Sequence, residues 1–206
     1  VELNKNLKEL YMFFQIVNKL QAKSVLDAGM TMINNRAFSK QFLNMEIERD
    51  VNLDCLVYID KQELLPIYKA VFRNIYSLDD DIDAHYDLVS LSRIFENIDS
   101  ENIINFLTIC LELGSMILYC LPKNNESLKE ELGVFYTQSI KVSSDYEEDE
   151  YRMVSSIDII KEIIILHVET NEFVYAKELL EKYKMIYKNS EVLALIEGYV
   201  NKGLGE

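Results

Sequence analysis

Lys23-Ser-Val-Leu-Asp-Ala-Gly-Met-Thr31 is the stretch that decides the fold. Ser24-Val-Leu26 is too short and too apolar for a surface strand, and it breaks at Asp27 and Gly29. An apolar run of this kind reads as a central parallel strand buried on both faces. Such strands end where nucleotide-type cofactors are held, because a glycine without Cβ lets the backbone approach the ligand. Thr31 and Ile33 stand where further glycines are expected.

Outward from this strand, apolar runs alternate with helical spacing. Residues 2–21 carry Leu7, Leu10, Tyr11, Phe14, Ile16, Val17 and Leu20 at mostly three- and four-residue intervals, the mark of an amphipathic helix. Residues 34–45 read as a helix with Phe38, Phe42 and Met45 on one face. Leu53 to Asp60 is a second apolar run ending in an acid, and Lys61 to Lys69 reads as a short helix limited by Pro66. Val71 to Tyr76 is a weak third strand, Tyr86 to Leu91 a fourth, and Ser115 to Leu121 a fifth, stopped by Pro122. Between the last two, Ser100 to Leu113 is a helix with Ser100 as N-cap and Gly114 closing it. Val134 to Ser143 and Glu150 to Ile157 read as a closing antiparallel pair around the acidic loop Ser144 to Asp149.

From Asp158 onward neither Gly nor Pro interrupts the chain until Gly198, and helices are expected at about 158–169, 172–187 and 190–202. Thr170-Asn171 and Lys188-Asn189 are the short joints that make them antiparallel neighbours. The fold class expected is therefore α/β, a parallel sheet covered on both faces over residues 1–157, with a C-terminal helical extension over 158–206.

Composition narrows the function classes. The chain has 206 residues, 49% of them hydrophobic, which is ample for a core. With 35 acidic against 21 basic residues the net charge is -14, and no basic cluster is dense enough to neutralise a phosphate backbone, so nucleic acid is not expected as a partner. Cys55, Cys110 and Cys120 are odd in number and sit in apolar runs, which fits reduced buried thiols in a cytoplasmic protein. No stretch approaches the roughly 18 apolar residues of a membrane span, and the first residues lack the layout of a signal peptide, so no membrane association is expected. The only histidines, His85 and His167, have no Cys, Asp or Glu at a known metal spacing, and no metal is expected.

The order of these elements resembles a class I S-adenosylmethionine-dependent methyltransferase, a Rossmann-like sheet of five parallel strands closed by an antiparallel hairpin. Val25-Leu-Asp-Ala-Gly29 is similar to the first motif of that family, Ile59-Asp60 to the acid ending its second strand, and Tyr86 to Ile98 to its fourth-strand motif. The resemblance implies S-adenosylmethionine as cofactor, with Gly29 beside its methionine moiety and Asp60 accepting hydrogen bonds from its ribose hydroxyls. It also implies that Asp27 orients the loop; Thr31 in that loop and Ser92 after the fourth strand complete the cofactor-binding set. No catalytic residue is assigned, and the fourth strand lacks the Asn-Pro-Pro-aromatic sequence of the branches that methylate amino groups of nucleic acid or protein glutamine.

Departures from the family pattern shape the functional expectation. Met30, Thr31 and Ile33 add bulk to the loop, and Asp27 and Asp60 lie 33 positions apart, where roughly 20 separate loop and acid in a compact binding unit. The expectation is a methyltransferase-like protein with degenerate cofactor binding and an interaction or regulatory role. One alternative is an active methyltransferase on a small molecule. Another is an assembly module that docks a protein partner, or forms a homodimer, through the C-terminal helices. Asn171, Phe173, Ala176, Leu180 and Tyr183 in those helices resemble the helix pair of a tetratricopeptide repeat.

Overall fold

A computed structural model describes residues 12–28, 50–55, 58–60, 63–64, 85–92, 95, 100–123, 126–142 and 149–206. The expected helix at 34–45 and the third strand at Val71 to Tyr76 lie outside the described residues.

Residues 12–19 form helix α1. The strands are β1 (Ser24–Asp27), β2 (Asn52–Cys55), β3 (Tyr58–Asp60), β4 (Glu63–Leu64), β5 (Tyr86–Ser92), β6 (Gly114–Leu121), β7 (Ile140–Lys141) and β8 (Glu150–Ser155). The remaining helices are α2 (Ser100–Leu113), α3 (Glu126–Leu132), α4 (Val134–Gln138), α5 (Ser156–Glu169), α6 (Phe173–Ile186) and α7 (Glu191–Gly203). Six strands make one mixed sheet in the order β2-β1-β5-β6-β8-β7. Its first four are parallel, β8 runs antiparallel to β6, and β7 runs antiparallel to β8.

Both faces of the sheet are buried, as its apolar strands require. Successive residues point to opposite faces. Val25, Leu88, Leu118 and Met153 join α1 residues Phe13, Phe14 and Val17 in one apolar cluster. Their neighbours Leu26, Val89, Tyr119 and Val154 face a second cluster, built with Leu107 and Leu111 of α2 and Ile160 and Ile164 of α5. This second cluster continues through Ala176, Leu180 and Tyr183 of α6 to Leu193, Ile196 and Val200 of α7.

Gly114 begins β6 directly after α2, with no intervening loop. An added Cβ there would stand 2.4 Å from Cγ2 of Val89 on β5, so the close approach of the two strands requires glycine. The helix joints of the extension use Asn171 and Asn189 at φ 63° and 68°, the left-handed region that asparagine tolerates. Ser190 then caps α7 by accepting a bond from the Leu193 amide at 3.3 Å.

The described residues give four parallel strands and an antiparallel pair, and the expected third parallel strand lies outside them. Three expectations are corrected. The run from Leu53 to Asp60 does not continue as one strand. β1 is only four residues long, so β2 pairs with it over Asn52–Cys55, and Tyr58–Asp60 pairs instead with Glu63–Leu64 in a separate two-stranded sheet. That pairing also replaces part of the helix expected at Lys61 to Lys69. The strand expected from Val134 to Ser143 starts as helix α4, because Gly133 at φ 53° turns the chain and accepts from the Tyr136 and Thr137 amides. Only Ile140 and Lys141 pair as strand β7, and Val142 adds one bond to the Tyr151 carbonyl at 2.8 Å. Burial of Phe135 at 3% exposure outweighs the strand propensity of Val134, Tyr136 and Thr137.

Candidate functional site

In an open parallel sheet, ligands bind outside the carboxyl ends of the strands, where the connections diverge to opposite sides. Here that point lies between β1 and β5. β2 flanks β1 on one side, and α2 carries the chain from β5 to β6 on the other. Asp27 ends β1, level with Ser90 of β5, and the Ala28 amide donates to the Ser90 carbonyl at 2.8 Å. Asp27 and Ser90 are 0% and 1% exposed. Between Ser90 and Ser92 the pairing of β5 with β6 shifts register, so Ser92 comes level with Tyr119. An irregularity of this kind re-aims the strand end at the rim of the crevice.

Tyr119 brings a polar cluster to the same end of β6. Its ring packs edge-on against Phe95, with centroids 5.8 Å apart, and its hydroxyl meets Ser139 Oγ at 2.6 Å. Ser139 Oγ also lies 2.7 Å from the Tyr136 carbonyl and the Tyr119 hydroxyl 3.3 Å from the Phe135 carbonyl, so each hydroxyl has a backbone acceptor and either can be the donor in their contact. Arg152 of β8 donates Nε to Ser139 Oγ and an Nη2 hydrogen to the Ser139 carbonyl, both at 2.7 Å. The same guanidinium pairs with Glu150 and lies 4.4 Å from the centroid of the Tyr136 ring. Burial pushes the Tyr119 phenol up to about 12, against the opposing pull of the Ser139 bond and the Arg152 charge.

The opposite, amino end of the sheet carries a different set. The Asp87 carboxylate accepts from the Lys23 amide at 2.7 Å, and Ser24 Oγ accepts from the Asp87 amide at 3.1 Å. His85 Nε2 contacts Ser115 Oγ at 2.7 Å, and its ring meets Tyr187 edge-on with centroids 4.9 Å apart. Burial lowers the pKa of His85, opposed by the Glu112 backbone and by the charge of Asp87. Tyr187, just past α6, donates to the carbonyls of Leu111 and Gly114, the latter at 2.9 Å, while Ser156 Oγ also bonds the Gly114 carbonyl. The helical extension is therefore anchored at the sheet end away from the crevice. His167 pairs with Glu172 at the α5–α6 joint, so neither histidine lies at the carboxyl end.

Of the five sequence-derived cofactor residues, Asp27 and Ser92 come together at the β1–β5 crevice. Gly29 and Thr31 lie outside the described residues. Asp60 ends β3, paired with Glu63, and not β2. At the crevice the Ala28 amide is committed to the Ser90 carbonyl and Asp27 is enclosed, while the loop that would complete a cofactor site lies outside the described residues.

Sequence reading did not single out Tyr119, Ser139 or Arg152. One signal was present: a tyrosine inside the aliphatic run Ser115 to Leu121 must find a partner for its hydroxyl once buried. The partner itself was not legible, because Ser139 and Arg152 lie 20 and 33 positions further on. Among the described residues no three His, Cys, Asp or Glu side chains gather to hold a metal, and no helix is long and apolar enough to cross a membrane.

No family model matches the chain, and no curated protein matches it. Among solved structures it is similar to the methyltransferase domain of bacterial CtHen1 in two forms. The CN form has 10% identity and a TM-score of 0.43, over 74% of this chain and 99% of that one. The C form has 12% identity and a TM-score of 0.41, over 71% and 96%. A protein from Pseudomonas syringae, named as a putative methyltransferase, has 9% identity and a TM-score of 0.34, over 65% and 87%. At such identities and TM-scores the likeness assigns neither a family nor an activity.

Proposed function

We propose that this is a methyltransferase-like α/β protein whose cofactor binding is degenerate and whose role is interaction or regulation. The observation that carries the reading is that Asp60 ends a strand of the small β3–β4 sheet and not β2. A ribose-binding acid works by standing at the end of the strand beside the glycine turn. The enclosure of Asp27 and the Ala28–Ser90 bond support the same reading.

A second reading, an active methyltransferase on a small molecule, is favoured by the register shift between Ser90 and Ser92 in the pairing of β5 with β6, at the carboxyl end of β5. Calorimetry with S-adenosylmethionine separates the two. Degenerate binding gives no heat of binding at cofactor concentrations up to about 1 mM, the weak end of specific affinity. Micromolar binding that disappears in Asp60→Ala refutes the degenerate reading and favours the second.

A further inference from the structure

Helix α7 buries Leu193, Ile196 and Val200 against the rest of the extension. Its opposite face exposes Glu191, Ala194, Leu195, Gly198, Tyr199 and Lys202. Leu195 is 79% and Tyr199 49% exposed, two large apolar side chains one helical turn apart on the same face. A Cβ added at Gly198 would meet nothing within 4 Å, so among the described residues no contact explains the small residue there.

We propose that this face of α7 binds a second copy of the same chain, helix against antiparallel helix. The face is complementary to itself about its midpoint, between Ile196 and Glu197. Glu191 and Lys202 are equidistant from that point, and so are Ala194 and Tyr199, and Leu195 and Gly198. In an antiparallel pair centred there, each Glu191 stands level with the other copy's Lys202, giving two ion pairs. Leu195 stands level with the other copy's Gly198, and Tyr199 with its Ala194. Large residues meet small ones, which lets the helix axes approach closely, and residues i and j exchange roles as a two-fold interface requires. A parallel pair would instead set Glu191 against Glu191 and Lys202 against Lys202. Among the described residues neither Glu191 nor Lys202 forms an ion pair within its own chain.

One helix face falls short of the roughly 1,000 Å² of a stable interface, so the dimer is weak and concentration-dependent. The net charge of -14 adds repulsion, which about 0.15 M salt screens beyond about 8 Å. The inference rests on the interaction half of the function proposed above. Its test uses no ligand, so its failure leaves the calorimetric result standing by itself.

The test is sedimentation equilibrium of the whole chain at about 0.15 M salt, from about 20 µM to about 1 mM, a span that covers weak association. The wild-type mass rises toward the dimer value. Lys202→Glu weakens association about tenfold, since both ion pairs become like-charge contacts, and Glu191→Lys with Lys202→Glu together restores it. Gly198→Gln leaves the monomer at least as stable, because its side chain points into open space and glutamine favours helix over glycine. The same change prevents the close approach and abolishes the dimer. A mass that stays monomeric throughout overturns the proposal. So does a dimer that Lys202→Glu and Gly198→Gln leave intact, which would put the contact elsewhere on the chain.

Discussion

Replacing Gly114 by alanine tests the junction on which both the sheet and the helical extension depend. The new Cβ would stand 2.4 Å from Val89 Cγ2, about 1 Å inside ordinary contact. Val89 cannot give way easily. It is fully buried, β-branched and held on β5 between Leu26 of β1 and Ile117 of β6. Gly114 cannot retreat either, because its carbonyl is bonded by Ser156 and Tyr187. Overpacking of this kind costs about 1–3 kcal/mol. Val89→Ala alone loses both γ-methyl groups, about 1.6 kcal/mol in transfer plus a cavity cost. In the double variant the methyl added on β6 enters the space that the Val89 side chain vacates, so the pair should be less destabilised than the sum of the single changes by about 1 kcal/mol or more. Urea unfolding followed by circular dichroism, with equal m values for the four proteins, measures this coupling. A neutral Gly114→Ala, or strict additivity in the double variant, would refute the claim that strand approach excludes a Cβ here.

Three further outcomes follow from the two polar clusters. Tyr187→Phe removes the donor shared by the Leu111 and Gly114 carbonyls and should lower stability by about 1–2 kcal/mol, read as a fall in the urea midpoint. Ser139→Ala should cost about 1–3 kcal/mol, because the Tyr119 hydroxyl and the Arg152 guanidinium lose the atom that joins them; a change below about 0.5 kcal/mol would show that the cluster is dispensable. Alkaline pH should unfold the chain through Tyr119 and Tyr187, whose phenols burial pushes up from 10 to about 12. Both native pKa values exceed the unfolded ones, so this stability is complete below pH 10 and is lost as pH rises through about 12. Tyrosinate absorbance during titration should show a component ionising near pH 12, and its absence would contradict the assignment.

Sequence alone determined the elements whose burial is written into consecutive residues. Val25-Leu26 had to sit in a central strand because apolar side chains on both faces must be buried, and Ser100 to Leu113 had to be a helix because Ile103, Ile104, Leu107 and Leu111 recur on one side, of which the structure leaves Ile104 exposed. The three C-terminal helices were legible for the same reason, with their joints at the two asparagine turns. Tertiary structure alone decided which segment each element meets. Strand pairing divided the run from Leu53 to Asp60 between two sheets, so that Asp60 ends β3 and not β2. The pocket that receives Phe135 made a helix of a strand-prone sequence, and a tyrosine that looked like core filling joined Ser139 and Arg152 beside Ser92. Periodicity records how much of a residue is hidden from water. Where a strand ends and what a buried hydroxyl bonds depend on chain far away in sequence, and no local pattern carries that information.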